Sequence, residues 1–218
     1  MYMGTLDNSL RVLRDRFKFN PKSVLDLGAY HGNWSKKVRS IFPKAEFFMI
    51  DAIDYKELAN CGIPYKISVL YSEKTRVPWY EKRNTGDSIF KETTNHFTNV
   101  VETYKETDTL DSLFEGKNFD FIKIDCQGAE IPILKGGQEL IKNTEVILLE
   151  VPFAGQYNKG VPSFGEHISY MKSIGFLPFD IVELHKASEI LIQIDLLFIR
   201  ETSPMWVKIQ ETICNLGV

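Results

Sequence analysis

The sequence predicts an α/β protein built around a mostly parallel β-sheet, and three observations support this. Short apolar runs alternate with amphipathic helical segments in the first third of the chain, and glycine or acidic residues follow several of these runs. The last two β-rich runs are joined by a short turn, so we expect them to be antiparallel. Alternating strands and helices favour parallel pairing with right-handed crossovers. The length of 218 residues predicts one domain over 1–218, Rossmann-like, with helices on both faces of the sheet.

The N-terminal segment, residues 1–20, is predicted to be a helical lead-in that packs on this domain. Apolar residues recur there at the spacing of one helix face, namely Leu6, Leu10, Leu13 and Phe17. Asn20 and Pro21 then end the helix.

Five elements follow in the order strand, helix, strand, helix, strand. The strands are predicted at Ser23–Leu27, Glu46–Ile50 and Tyr65–Leu70, and the helices at Asn33–Phe42 and around Tyr55–Asn60. Asn33 belongs to the residue types that cap helix N-termini, and Pro43 ends the first of these helices.

Residues 73–107 interrupt this alternation and are predicted to form an insertion with one or two extra strands. The segment is polar and contains an Asn-Thr-Gly-Asp turn at 84–87. Loops placed by a rigid scaffold commonly carry binding residues. We therefore expect the insertion to cover the substrate side of a pocket and to help select the substrate.

The second half of the chain is predicted to complete the sheet. A short helix is expected at Thr107–Phe114, capped by Thr107 or Asp108, a second begins near Ala129, and a third ends at Gly175. Strands are expected at Phe119–Asp125 and Glu145–Val151, and in the runs FLPFDIVEL and EILIQIDLLFIR.

The composition excludes several classes of protein. A hydrophobic fraction of 44% and a charged fraction of 25% are ordinary for a globular protein. The 29 acidic residues outnumber the 26 basic ones, which argues against a dedicated nucleic-acid binder. No apolar run reaches the roughly 18 residues of a membrane span, and three distant cysteines favour a reducing compartment. We expect a cytoplasmic protein with no membrane or nucleic-acid partner, and a homodimer stays an open alternative to a monomer.

The first strand-to-helix loop, from Asp26 to Ser35, has the features of a nucleoside site. Gly28 and Gly32 allow a tight turn and a close approach to a ligand, and ligands bind at this edge of open α/β sheets. Asp51 ends the second strand about 20 residues later, where a carboxylate can accept both hydroxyls of an adenosine ribose.

The charges of this loop favour S-adenosylmethionine over a nicotinamide cofactor. The spacing is D-x-G-x-x-x-G instead of G-x-G-x-x-G, and residues 28–35 hold no Lys or Arg for a pyrophosphate. Asp26, expected to face the crevice, would repel a pyrophosphate and attract a sulfonium or ammonium group. The alternative is that Asp26 caps the next helix and that Asp51 is a turn residue. The predicted cofactor contacts are Asp26, Gly28, Ala29, Tyr30, His31, Gly32, Asn33, Trp34, Asp51, Ala52, Ser72 and Gln127.

A second polar cluster, formed by Asp125, Gln127 and Glu130, follows a core strand at the same edge of the sheet. The loop DLGAYHGN, the run TLDSL and the stretch KIDCQGAEIPILKG together resemble the FkbM family of S-adenosylmethionine-dependent methyltransferases. The family signature is K-x-D-x-E-G-x-E followed by L-x-G. The resemblance runs from about Ser23 to Arg200.

This resemblance implies a class I methyltransferase fold, with a seven-stranded, mostly parallel sheet and an antiparallel last strand. It also implies O-methylation, with a sugar, a glycan or another small hydroxylated metabolite as the acceptor. Gln127 departs from the family pattern, which has Glu at this position and therefore a charge. Two alternatives remain: a nicotinamide-dependent oxidoreductase, and a catalytically silent cofactor-binding module, for which Gln127 is the supporting feature.

Asp125 is the candidate general base, because a hydroxyl acceptor benefits from a base and Asp125 ends a strand facing the acceptor side. The alternative role for Asp125 is to orient the methionine part of the cofactor or a loop. Lys123 lies two residues earlier in the same strand and is expected to pair with a nearby carboxylate.

A metal site is not predicted. Asp51, Asp125 and Glu150 lie on one rim and offer oxygen ligands that suit magnesium or calcium, but no local ligand motif supports one. The histidines outside the loop, His96, His167 and His185, are interpreted as surface residues, with substrate contact as the alternative for His96 in the insertion.

Overall fold

The computed structural model describes residues 5–95 and 98–216, which form ten strands and seven α-helices. The strands are β1 (Ser23–Leu27), β2 (Glu46–Asp51), β3 (Tyr65–Ile67), β4 (Val69–Leu70), β5 (Arg76–Glu81), β6 (Val101–Asp108), β7 (Phe121–Ile124), β8 (Val146–Pro152), β9 (Phe176–Ala187) and β10 (Ile190–Arg200). The helices are α1 (Leu6–Asp15), α2 (Asn33–Ile41), α3 (Lys56–Ala59), α4 (Leu110–Leu113), α5 (Glu130–Lys135), α6 (Phe164–Ser173) and α7 (Pro204–Cys214).

The main sheet has seven strands in the order β3-β2-β1-β7-β8-β10-β9. The first five in this order pair in parallel, whereas β10 runs antiparallel to both β8 and β9. Strands β7 and β8 are buried along their whole length, as expected for parallel strands covered on both faces. The predicted seven-stranded sheet with an antiparallel last strand is confirmed.

A two-residue turn joins β9 to β10. Ser188 and Glu189 both have positive φ, 45° and 67°, which suits the right-handed twist of a hairpin. The pairing shifts register three times along the hairpin, once between Leu191 and Gln193. These register shifts determine which residues of β9 and β10 lie beside the end of β8.

A second, three-stranded sheet in the order β4-β6-β5 contains the predicted insertion. The single strand expected at Tyr65–Leu70 is wrong, because the chain leaves the main sheet at Ser68 and joins the second sheet at β4. Ser68 marks this change, since its N–H donates to the Asp51 carbonyl at 2.9 Å and its hydroxyl to Asp108 Oδ2 at 2.9 Å.

Two predicted helix caps are also wrong. Gly32, in a left-handed conformation, caps α2, and Asn33 is the first helical residue. Thr109 caps α4 through a hydrogen bond from the Ser112 N–H. Thr107 belongs to β6 instead, where its hydroxyl accepts from the Thr75 N–H at 2.9 Å.

The two terminal helices both contribute buried residues to the hydrophobic core. In α1, Leu6, Leu10 and Leu13 are buried, which confirms the predicted apolar face of the lead-in. No element is predicted from the sequence after the run EILIQIDLLFIR, yet α7 begins at a Ser203 cap followed by Pro204. Within 5–95 and 98–216, no helix has the length and apolar character that a membrane span needs.

Candidate functional site

A cavity of ≈ 610 Å³ opens where the parallel strands of the main sheet end. One side, which we call the loop side, is formed by Gly28, Tyr30, Asp51 and Ala52. The opposite group, which we call the network side, comprises Asp125, Gln127, Glu150, Tyr157 and His185. The insertion completes the wall with Trp79, the turn at 84–87, Ile89 and Glu92.

Gly28 allows the first loop to lie directly against the end of β7. Its φ is +74°, and an added Cβ would lie 1.8 Å from the carbonyl oxygen of Asp125. Its N–H and that of Ala29 donate to the Ile50 carbonyl at 3.0 and 3.1 Å, which joins the loop to the end of β2. A side chain at this position would force the loop and β7 apart.

Asp51 holds the shape of the loop side through backbone hydrogen bonds. Its Oδ2 accepts from the Tyr30 N–H at 2.7 Å and its Oδ1 from the Ile53 N–H at 2.9 Å. Burial raises the pKa of this carboxyl above its ordinary value, although both backbone donors act in the other direction. Each carboxylate oxygen has a further lone pair, so Asp51 can still accept hydrogen bonds from a ligand in the cavity.

Aromatic rings enclose the loop side. Tyr30 stacks on His31 with ring centroids 3.7 Å apart, and it meets Tyr55 edge-on at 4.9 Å. Tyr30 and Tyr55 line the cavity, whereas His31 lies behind Tyr30 with its Nε2 3.8 Å from Glu57.

Asp26 does not face the crevice, so this expectation is wrong. Its side chain is fully buried, its Oδ2 accepts from the Ser35 hydroxyl at 2.7 Å, and its Oδ1 lies 3.4 Å from Lys123 Nζ. Asp26 therefore sits beneath the loop and connects β1 to α2 and β7.

Lys123 links this buried layer to the cavity. Its Nζ lies 3.2 Å from Asp125 Oδ2 and donates to the Gly28 carbonyl at 2.9 Å. Burial disfavours the ammonium, but the carboxylates of Asp125 and Asp26 outweigh burial and raise the pKa of Lys123. The predicted pairing of Lys123 with a carboxylate is confirmed.

Of the twelve predicted cofactor contacts, five line the cavity: Gly28, Tyr30, Asp51, Ala52 and Gln127. Those outside its lining are Asp26, Ala29, His31, Gly32, Asn33, Trp34 and Ser72. Gly32 packs on Cys61, with an added Cβ only 2.4 Å from the sulfur. Trp34 packs edge-on against Phe121 at 5.5 Å, and Asn33 is exposed.

Gln127 connects the carboxylates of the network side. Its Nε2 donates to Glu150 Oε2 at 2.7 Å and to Asp125 Oδ1 at 3.3 Å, and its Oε1 accepts from the Tyr157 hydroxyl at 3.3 Å. The backbone φ of Gln127 is +52°, and its carbonyl accepts from Ser88 Oγ at 2.9 Å. The side-chain amide therefore separates two carboxylates, and the backbone carbonyl fixes the insertion to the loop after β7.

Glu130 supports this loop from inside the protein. Its Oε1 accepts from the N–H groups of Cys126 and Gly128 at 2.9 and 3.2 Å, and its other oxygen lies 3.9 Å from His167 Nε2. His167 is fully buried, so its interpretation as a surface residue is wrong. Its position on the inner face of α6 could have been found from helical periodicity.

His185 is the functional candidate that the sequence analysis missed, since it lines the cavity and was interpreted as a surface residue. Its Nε2 lies 3.1 Å from Asp195 Oδ1, and this hydrogen bond, which outweighs burial, raises its pKa. Asp195 pairs with Glu150 across β10 and β8. Ligand atoms of Glu150, His185 and Asp195 lie within 4.8 Å of one another, so these three could hold a metal ion. His96 lies outside the described residues.

Comparisons with known proteins identify the family. The sequence matches the domain described as Methyltransferase FkbM domain over residues 26–178, and no curated protein matches it. The fold is similar to magnesium protoporphyrin IX methyltransferase from Synechocystis, solved with bound S-adenosylmethionine, at 12% identity over 89% of this chain and 77% of that chain, with a TM-score of 0.51. It is also similar to an uncharacterized Listeria monocytogenes protein, at 11% identity over 88% and 68% of the two chains, with a TM-score of 0.51. The match extends from β1 into β9 and covers most of the chain, which therefore belongs to the FkbM family of S-adenosylmethionine-dependent methyltransferases.

Proposed function

We propose that the protein is an O-methyltransferase that acts on a hydroxyl group of a sugar, a glycan or another small hydroxylated molecule. The observation that carries this proposal is the composition of one cavity. The glycine loop and Asp51 line it together with Asp125 and its polar network. A nucleoside site and a candidate base therefore share one space.

The loop side suits S-adenosylmethionine better than a dinucleotide. Asp51 offers acceptor oxygens to two ribose hydroxyls, and the rings of Tyr30 and Tyr55 offer apolar surface to an adenine. Among the described residues that line the cavity, none is Lys or Arg, so a pyrophosphate would find no cation there. This argues against the nicotinamide-dependent oxidoreductase.

For methyl transfer, the protein needs to align the cofactor with the acceptor and to remove the proton of the acceptor hydroxyl. S-adenosylmethionine supplies an electrophilic methyl group, so that the bond from carbon to the acceptor oxygen forms as the carbon–sulfur bond breaks and S-adenosylhomocysteine leaves. Asp125 takes the proton of the acceptor hydroxyl in this proposal. Lys123 and the Gln127 amide, at 3.2 and 3.3 Å, hold its carboxylate in place.

Gln127 does not support a catalytically silent module in this arrangement. Its amide positions two carboxylates and leaves Asp125 on the cavity wall, where an acceptor can reach it. Replacing the family Glu by Gln thus removes a charge without removing the proposed base.

The insertion is proposed to select the acceptor. It contributes Trp79, Asp87 and Glu92 to the cavity, and Ser88 holds it against Gln127. A rigid contact of this kind keeps a binding loop in one geometry.

The proposal is tested by binding and product analysis. Calorimetry should detect S-adenosylhomocysteine binding and no binding of NAD. Labelled methyl groups from S-adenosylmethionine should appear on hydroxylated acceptors as methyl ethers, identified by nuclear magnetic resonance of the product. Methylation exclusively on nitrogen or carbon would contradict the proposal, and so would tight binding of NAD.

A further inference from the structure

The wall of the cavity carries an unusual excess of negative charge. Five carboxylates line it, those of Asp51, Asp87, Glu92, Asp125 and Glu150. Among the lining residues within the described part of the chain, Lys and Arg are absent, and His185 is the only basic side chain. S-adenosylmethionine brings one net positive charge and Lys123 offsets part of the charge of Asp125, so the carboxylates still outnumber the cations at this wall.

Two of the five carboxylates already have defined roles. Asp51 accepts two backbone N–H groups on the loop side, and Asp125 lies 3.2 Å from Lys123. A third, Asp87, accepts from the Lys82 N–H at 2.7 Å and lies in the turn at 84–87 on the cavity wall.

The remaining two carboxylates face the network side. Burial raises the pKa of Tyr157, and the negative charges of Glu150 and Glu92 raise it further. Contacts place both acids near Tyr157. The N–H of Thr93, the neighbour of Glu92, donates to the Tyr157 carbonyl at 2.8 Å. The Gln127 side chain hydrogen-bonds Tyr157 at 3.3 Å and Glu150 at 2.7 Å. Burial, and then the neighbouring carboxylates, chiefly Asp125, raise the pKa of Glu150 well above its ordinary value. Lys123 acts in the other direction but does not outweigh these causes.

We infer that the acceptor carries a protonated amine in addition to the hydroxyl that is methylated, and that Glu150 and Glu92 bind this ammonium group. This inference rests on the proposed function. An ammonium has three donors and no acceptor, so it forms charge-assisted hydrogen bonds with carboxylates. A phosphorylated or carboxylated acceptor would instead meet like charge, which strongly disfavours such partners.

A divalent metal ion is the rival occupant of the same carboxylates. Two contacts favour the amine. His185 and Asp195 are already hydrogen-bonded at 3.1 Å, and Glu150 accepts from the Gln127 amide at 2.7 Å. These groups have protein partners, and the Glu150 carboxylate can still accept from an ammonium in the cavity.

The test uses three hydroxylated sugars that differ in charge: D-glucosamine, N-acetyl-D-glucosamine and D-glucuronate. Their binding to the full-length protein saturated with S-adenosylhomocysteine is measured by calorimetry in the presence of EDTA. Glucosamine should bind at least about tenfold more tightly than its N-acetyl form, the scale of a charge-assisted hydrogen bond. Glucuronate should bind most weakly.

Single variants show which carboxylates cause the preference for glucosamine. Glu150→Gln and Glu92→Gln should each reduce the preference for glucosamine while leaving S-adenosylhomocysteine affinity within about threefold. Glu102→Gln, which removes an exposed carboxylate of β6 outside the cavity, is the matched control and should leave the preference unchanged.

Three results would overturn the inference: equal affinities, absence of glucosamine binding, or binding that requires added magnesium or manganese. The last result assigns the carboxylates to a metal ion. Failure of the wild-type protein to bind S-adenosylhomocysteine contradicts the proposed function instead, so the two failures are distinguishable.

Discussion

The loop side and the network side of the cavity are built in different ways. The loop side depends on backbone groups at the ends of the two neighbouring strands β1 and β2: Gly28 and Ala29 donate to the Ile50 carbonyl, and the Tyr30 N–H donates to Asp51. The network side depends on side chains from two strands, β8 and β9, and from two loops, which meet only in the folded chain. We infer that the loop side binds the cofactor, which is common to many enzymes, whereas the network side is adapted to one acceptor.

The largest expected effect comes from Gly28→Ala, which disrupts the contact between the loop side and the network side. The new Cβ would lie 1.8 Å from the Asp125 carbonyl oxygen in a residue with a φ of +74°. We expect a loss of about 2–5 kcal/mol in the free energy of unfolding, from the left-handed backbone and overpacking together. Denaturant unfolding measures it.

Gly116→Ala is the matched control for this variant. Gly116 has a similar φ of +71°, but nothing lies within 4 Å of an added Cβ. It should cost about 1–2 kcal/mol, the backbone contribution alone. Equal losses in the two variants would contradict the close approach of the loop to β7.

The second prediction addresses the chemistry on the network side. Asp125→Asn keeps the shape of the side chain and removes its basicity. Turnover should fall by about two orders of magnitude or more, while S-adenosylmethionine affinity stays nearly normal. Lost affinity with turnover largely retained at saturation would show that Asp125 binds the cofactor, and a rate within about threefold of wild type would exclude the base.

Sequence patterns were sufficient for the alternation of strands and helices along the first part of the chain and for the choice of Gly28 and Asp51, which both line the cavity. Gly28 follows the first strand and Asp51 ends the second. In a parallel sheet both strand ends lie at the same edge, where ligands bind, so these two residues can be assigned to a site without knowledge of distant contacts. The same reasoning placed Asp26 wrongly. A strand-end carboxylate can turn inward when a buried cation is available, and Lys123 on the neighbouring strand provides one.

The network side could be predicted only in part. Asp125 and Gln127 follow a recognisable strand, but the role of His185 depends on the irregular register between β9 and β10. A shift of one residue would move its side chain to the other face of the sheet. Likewise, the split of β3 from β4 depends on pairing with β6, which lies more than thirty residues later in the chain.

The third prediction uses the raised pKa of Glu150. Because burial and nearby acids hold this pKa well above 4.5 in the folded protein, the folded state binds the proton more tightly than the unfolded state does. The contribution to stability is therefore present at low pH and is lost as the pH rises through the folded pKa.

Glu150→Gln should flatten this dependence. Above the folded pKa of Glu150, the variant should not show the loss of stability that the charged carboxylate causes in the wild type. Urea unfolding of both proteins over a pH series measures the difference. Parallel stability curves would contradict the buried, negatively charged environment assigned to Glu150.

The smallest expected effect is that of Asn33→Ala. Asn33 is exposed at the start of α2 and lies outside the cavity, although the sequence analysis placed it among the cofactor contacts. S-adenosylhomocysteine affinity should change by less than about 0.5 kcal/mol, the usual limit for surface substitutions. A larger loss in calorimetry would extend the cofactor site beyond the loop side.

The proposal that the loop side binds the cofactor and the network side carries the chemistry is tested most directly with two single variants, Asp51→Ala and Asp125→Asn. For each variant, S-adenosylhomocysteine affinity and single-turnover rate are measured. Asp51→Ala should weaken binding by about 1.5–3 kcal/mol, as expected for hydrogen bonds to a charged group, with most of the rate recovered at saturation. Asp125→Asn should show the reverse pattern. Unchanged affinity in a folded Asp51→Ala variant would contradict the account.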